Sequence, residues 1–281
     1  MQITALIENT RPENRLELEV ESGLSLHIQL EDSQLLFDTG KSGAFADNAR
    51  ALGVDLKAID TCVISHRHYD HFNGLERFLP LNQQATVYLR NAVVQEYYFK
   101  AFFSKRDIGI HARLFDEYPD RFTFVDGKAE IAPSVFLLTD ICTSYPRPAG
   151  NKYLYVKDTQ GLRRDDFAHE LIMVVKEDDG LILFSGCAHS GIVNMVETVV
   201  QAFPDTPIKG VVGGFHLVGL SALKTMGGSQ QDIERIGEQL LSYPIGKLYT
   251  GHCTGLKAYE ILRSVMGEKL GYLATGESVT L

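Results

Sequence analysis

The chain has 281 residues, 44% hydrophobic and 22% charged, which is ordinary globular composition and enough length to bury a core in one large α/β domain or two smaller ones. No apolar run approaches the ~18 residues of a membrane span, and the start, MQITALIENTRPENR, lacks a basic region leading into an apolar stretch, so a cytoplasmic protein with no membrane partner is expected. A formal net charge of −9 argues against a nucleic-acid partner, because phosphate backbones are bound by basic surface.

Taken in chain order, the first third reads as short strands: MQITALIE, then LSLHIQL (24–30) and QLLFDTG (34–40) joined by the turn-like EDS. SGAFADNARALG (42–53) has helical spacing at Phe45, Ala49 and Leu52 and a stop at Gly53. TCVIS (61–65) is a short buried strand, and FNGLERFLP (72–80) a brief helix ended by Pro80. Residues 90–165 read as an insertion shaping the substrate pocket, with a helical, aromatic NAVVQEYYFKAFFS (91–104) and the Pro- and Gly-rich loop SYPRPAGNK (144–152). Alternation returns at ELIMVVKEDDGLILFSG (170–186), two apolar runs joined at a Glu-Asp-Asp-Gly turn. After it come the helix IVNMVETVVQAF (192–203), the strand IKGVVGG (208–214), the helix SQQDIERIGEQLLS (229–242), the strand KLYTG (247–251) and the helix GLKAYEILRSVMG (255–267). Strands alternating late with helices indicate a sheet-based α/β layered fold.

CVISHRHYDHFNGL (62–75) places His66, His68, Asp70 and His71 within six positions, three of the chain's nine histidines. Histidines at i and i+2 on an extended segment leaving a strand point the same way and can share one ion. Asp70 and His71, on the following turn, would face a second ion. Imidazole with carboxylate suits Zn, Fe or Mn. Further ligands should lie at other strand ends, and three segments offer them beside glycines: LFSGCAHSGI (Cys187, His189), GGFHL (His216) and YTGHCTG (His252, Cys253). The four cysteines, Cys62, Cys142, Cys187 and Cys253, form no Cys-x-x-Cys pair and fit reduced thiols. Between Arg90 and Arg113 five basic residues (with Lys100, Lys105 and Arg106) stand against Glu96 and Asp107, either a solvated helix face or a clamp for an anionic substrate.

LLFDTG, SHRHYDHFNGL, the Gly-Cys of LFSGCAHSG, and GHCTG together resemble the metallo-β-lactamase-fold superfamily. More narrowly, ENT, GCAHSGIVN, GGFHL and GHCTG resemble its subgroup of 7,8-dihydropterin-6-yl-methyl-4-(β-D-ribofuranosyl)aminobenzene 5'-phosphate synthases, over roughly 1–80 and 165–281. The resemblance implies a four-layer αββα sandwich in a single domain, carrying two divalent metal ions. It implies His66 and His68 at one ion, Asp70 and His71 at the other, and His252 as the ligand near the C-terminus. Cys187 stands where many relatives carry a bridging Asp and some a Cys ligand. Asp38 would orient a ligating histidine.

The chain departs from the family where an upstream Gly-His-rich turn is usual. Only RRDDFAHE (163–170) is there, leaving His169 or His189 to complete the site, with His189 preferred. Arg67 replaces a small residue and either biases the pocket toward anions or points to solvent. The expected activity is hydrolysis of a small anionic, phosphorylated substrate by a metal-activated water steered by Asp70, with His216 stabilising the transition state or delivering a proton. Lys105 and Arg106 would hold the anion. The alternatives are the synthase-type transfer, a di-iron oxidoreductase, and a non-catalytic metal-binding module. A homo-oligomer is left open.

Overall fold

The computed structural model describes residues 1–92, 94–220 and 225–281. They divide into two compact units, Met1–Val125 with Tyr155–His169 and Leu273–Leu281, and Asp126–Leu154 with Glu170–Tyr272.

In the first unit a seven-stranded sheet runs β18 (Ser278–Thr280), β1 (Gln2–Ile7), β2 (Ser25–Gln29), β3 (Gln34–Phe37), β4 (Thr61–Val63), β5 (Thr86–Arg90), β8 (Phe122–Val125). Its first four strands pair antiparallel, through β3, and the rest pair parallel. Helix α1 (Ala44–Ala51) buries Phe45 and Ala49 in a core shared with Leu6, Leu36, Ile64 and Val87. Its stop is as expected, with Gly53 in the left-handed region at φ +75°. The histidine motif leads into α2 (Tyr69–Phe72), and Asn73–Gly74 separates that turn from α3 (Leu75–Leu81). Pro80 does not end α3, which runs through it to Leu81. In the last turn Pro costs one backbone donor, and the Asn82 N–H still donates to the Phe78 carbonyl at 2.8 Å.

The described residues of 91–104 form no helix. Among their described positions (Val93 lies outside them) Glu96–Ala101 (β6) pairs with Ser104–Asp107 (β7) as an antiparallel hairpin, joined to β11 (Leu154–Asp158) and β12 (Gly161–Arg164) in the order β12–β11–β6–β7. The aromatic run Tyr97-Tyr98-Phe99 suits a pleated surface better than a helix. The basic stretch is therefore a strand hairpin rather than a helix face. A short turn of helix, α4 (Leu114–Glu117), follows.

In the second unit the sheet order is β17 (Leu270–Tyr272), β16 (Lys247–Thr250), β15 (Ile208–Gly213), β14 (Gly180–Ser185), β13 (Ile172–Glu177), β10 (Val135–Leu138), β9 (Lys128–Ala132). Strands β14 to β17 pair parallel, and β14 and β15, buried at all positions but one, read as near-continuous apolar runs. Helices α5 (Ile192–Ala202), α6 (Gln230–Leu241) and α7 (Leu256–Met266) pack Val196, Ile233 and Leu262 into its core. Helix α6 begins with a reciprocal cap, Ser229 Oγ accepting the Asp232 N–H while the Asp232 carboxylate accepts the Ser229 N–H. Each unit thus supplies a sheet and a helical layer, as the expected α/β class requires. The stretch expected to be an irregular insertion carries strands β6 to β12 and divides between the two units.

Candidate metal centre

The chemistry-bearing residues lie just past the carboxyl ends of parallel strands, where open α/β sheets place their ligands: Asp38 after β3, His66 after β4, Cys187 after β14, His216 after β15, His252 after β16. In the first unit Asp38 organises the motif from below. It is fully buried with φ +59°, a conformation costly for a residue bearing Cβ. Asp38 Oδ1 accepts the Ser65 N–H and Oδ2 accepts the Ser65 hydroxyl, both at 2.7 Å, and His71 Nδ1 at 2.6 Å. Since the Ser65 proton goes to Asp38, its oxygen accepts from His66 Nδ1 at 2.8 Å. Both histidines therefore carry their proton on Nδ1 and offer Nε2 as the ligand atom. His66 and His71 have ring centroids 4.1 Å apart, and His66 and His68 4.7 Å.

A second buried carboxylate, Asp165, escaped sequence reasoning, which saw only a Gly-His turn missing from RRDDFAHE. Asp165 Oδ2 lies 3.2 Å from His169 Nε2 and 3.6 Å from His68 Nε2. His169 Nδ1 accepts the Arg67 backbone N–H at 3.0 Å, so His169 is neutral, protonated at Nε2, and donates to Asp165. With both nitrogens engaged His169 braces the motif, and the ligand atoms of His68, Asp165 and His169 also lie within 4.8 Å of one another, a group able to hold a metal ion. Burial pushes His169 down more strongly than the facing Asp165 raises it. Burial alone would raise the Asp165 carboxyl, but the His169 and His68 imidazoles outweigh it and hold it well below the usual carboxylate range.

In the second unit the candidate donors are sulfur and imidazole. Cys187 Sγ lies 3.3 Å from His252 Nε2, and Cys253 Sγ 3.5 Å from the Cys187 carbonyl. The rings of His189 and His216 are 4.2 Å apart. The ligand atoms of Cys187, His252 and Cys253 all lie within 4.8 Å of one another, as do those of Cys187, His189 and His216. His189 Nδ1 donates to Asn151 Oδ1 at 3.1 Å, which leaves Nε2 as its ligand atom. The loop itself hangs on Glu170, whose two carboxylate oxygens accept the N–H groups of His189 and Ser190 at 2.7 Å each. Ala188, His216 and His252 have φ of 56°, 49° and 49°, strained backbone that marks built sites. Asn151 and Glu170 carried no sequence signal, since neither is adjacent to the residue it positions.

Arg67 neither reaches solvent nor stands exposed at a mouth. It is 1% exposed, donates to the Arg90 carbonyl at 3.2 Å, and has its guanidinium within 5.9 Å of the Phe115 and Phe124 rings. These aromatic partners and the carbonyl explain why the stem turns inward. Burial lowers its pKa. Lys105 and Arg106 are exposed on β7, over the rings of Tyr98 (3.6 Å) and Phe99 (5.7 Å). The hairpin base is tied to the motif, because the Tyr69 N–H donates to the Ile108 carbonyl at 3.0 Å. Asp70 is half-buried in the first turn of α2.

The family model of the metallo-beta-lactamase superfamily matches residues 19–149. Over 100% of this chain and 99% of the other, the fold superimposes with a TM-score of 0.82 and 31% identity on the crystal structure of Tm1679, a metal-dependent hydrolase of the β-lactamase superfamily. The protein belongs to the metallo-β-lactamase superfamily, and its α/β fold is of that type. It is 26% identical over 277 residues (92% of this chain, 89% of the other) to the 7,8-dihydropterin-6-methyl-4-(β-D-ribofuranosyl)-aminobenzene-5'-phosphate synthase of Methanocaldococcus jannaschii. To the uncharacterized protein MJ0448 of the same organism it is 28% identical over 264 residues, 91% of each chain. Metal binding follows from the superfamily, and the donors fit it: imidazoles with tautomers set by buried partners, and a thiol beside an imidazole. Among the described residues no helix is long and apolar enough to cross a membrane.

Proposed function

We propose that the protein is a metal-dependent hydrolase that uses two divalent ions on a small anionic, phosphorylated substrate. The observation that carries this reading is the Asp38 network, in which one buried carboxylate sets the tautomers of His66 and His71 so that both offer Nε2. His66, His68, Asp70 and His71 in the first unit, and Cys187, His189 and His252 in the second, are the donors. Nitrogen and sulfur donors favour zinc, with iron next and manganese last. When bound, such ions supply Lewis acidity and lower the pKa of a water toward ~7.

The chain's own groups do the remainder. The Asp70 carboxylate orients the attacking water and accepts its proton. The His216 imidazole returns a proton to the leaving oxygen. Lys105 and Arg106, exposed on a hairpin whose base is bonded to Tyr69, hold the substrate's phosphate. The setting is the cytoplasm, and the partner a small molecule.

A second reading, group transfer, is favoured by the identity to a relative named as a 5'-phosphate synthase. Elemental analysis joined to a panel of phosphomonoesters, phosphodiesters and lactones separates the two. Hydrolysis without a second substrate supports the first. Turnover only with an arylamine acceptor and release of pyrophosphate supports the second. Stoichiometric metal with no turnover in either assay leaves a metal-binding module and ends both.

A further inference from the structure

We propose that Cys253 is a metal donor, so that the second unit holds a cation through a soft set of Cys187, His252 and Cys253. The inference rests on the metal-binding reading above and adds a ligand that the histidine motif does not imply. The three ligand atoms lie within 4.8 Å of one another and all three residues are buried. Neighbours in sequence ordinarily point apart on an extended chain. Here residues 252–254 form a tight 3₁₀ turn, entered at φ +49° on His252, and both His252 and Cys253 reach Cys187.

The Cys253 sulfur donates to the Cys187 carbonyl at 3.5 Å, a contact given up on metal binding, and it also accepts a hydrogen bond. The His216 N–H donates to Cys253 Sγ at 3.3 Å, and that bond persists when the thiol proton is lost. Space for the sulfur is made by Gly214, where a Cβ would lie 2.5 Å from Sγ and 2.8 Å from the Gly186 carbonyl. On binding, the S–H bond breaks, its proton passes to solvent, and the sulfur lone pair forms the bond to the cation. Two thiolates and an imidazole select thiophilic ions such as zinc, cobalt or cadmium against magnesium and manganese.

The test is spectroscopic. Metal-free protein is titrated with cobalt(II), and the near-ultraviolet sulfur-to-metal charge-transfer absorbance at saturation is compared with that of Cys187→Ser, Cys253→Ser and the double variant. The expected outcome is loss of about half the absorbance in each single variant and all of it in the double, since each metal–thiolate bond absorbs separately. Full absorbance in Cys253→Ser overturns the proposal. Should that variant not fold, cadmium titration of the wild-type protein decides, because saturation absorbance equal to one thiolate overturns the proposal and two support it. No metal uptake at all would instead overturn the hydrolase reading, so the two failures are distinct.

Discussion

His66 and His71 in the first unit are aimed by side chains, through Ser65 and a carboxylate on Asp38 that no solvent reaches. Cys187, His216 and His252 in the second unit are aimed by backbone, through left-handed conformations at Ala188, His216 and His252 and bare glycines at 213 and 214. A hydrogen-bonded network sets tautomer and charge as well as direction, which nitrogen donors need. Sulfur has no tautomer to set, so for a thiol donor placement suffices. Polar chemistry dominates in the first unit and chain geometry in the second, where polar aiming is kept for His189 through Asn151 and Glu170.

That contrast can be broken in several places. The largest effect is expected at Asp70, the proton acceptor of the proposed mechanism. Asp70→Ala should lower turnover by about 10²–10⁴-fold and reduce bound metal toward one ion per chain by elemental analysis. Full activity in that variant would rule out the two-ion mechanism. Next comes Asp38→Asn, which keeps shape but loses the acceptor that fixes two tautomers. Metal affinity measured by competition with a chelating dye should fall about 10–100-fold. An unchanged affinity would mean that the imidazoles are aimed by packing alone.

In the second unit, the damaging change should be a methyl group on the backbone. Gly214→Ala sets a Cβ 2.5 Å from Cys253 Sγ and 2.8 Å from the Gly186 carbonyl, and should cost about 1–3 kcal/mol in urea unfolding. If it costs nothing, that loop is not held by close approach. The smallest effect concerns acid. His169 is held neutral, its pKa lowered by burial, so below an unfolded value of ~6.5 the unfolded chain takes up a proton that the folded chain refuses. Stability of the metal-free protein should therefore be full above ~6.5 and decline as pH falls. His169→Gln should flatten that decline in urea midpoints, leaving the share due to His27, whose pKa burial also lowers. A slope identical in the two proteins would show that His169 takes up its proton in the fold as readily as in the unfolded chain.

Much of this arrangement was legible from local pattern. The strand–turn–helix order at both ends, the histidine motif and the strand-end segments of Cys187, His216 and His252 follow from apolar periodicity and from residue types seldom spent elsewhere. The stretch 91–104 satisfies a helix pattern as easily as a strand because its aromatic residues are at mixed spacing, and pairing with β11 decides for the hairpin of β6 and β7. Asp165, Glu170 and Asn151 were not legible at all.

The sequence by itself determined the fold class, the candidate donors and their placement at strand ends, because hydrophobic period and ligand chemistry are properties of neighbouring residues. Only the tertiary structure decided which nitrogen carries the proton in His66, His71, His169 and His189, that Asp165 joins His68 and His169, that Arg67 turns inward, and that Cys253 stands beside Cys187. Those outcomes depend on which distant polar groups burial brings within hydrogen-bonding reach, and a buried proton or charge settles on whatever partner it meets there.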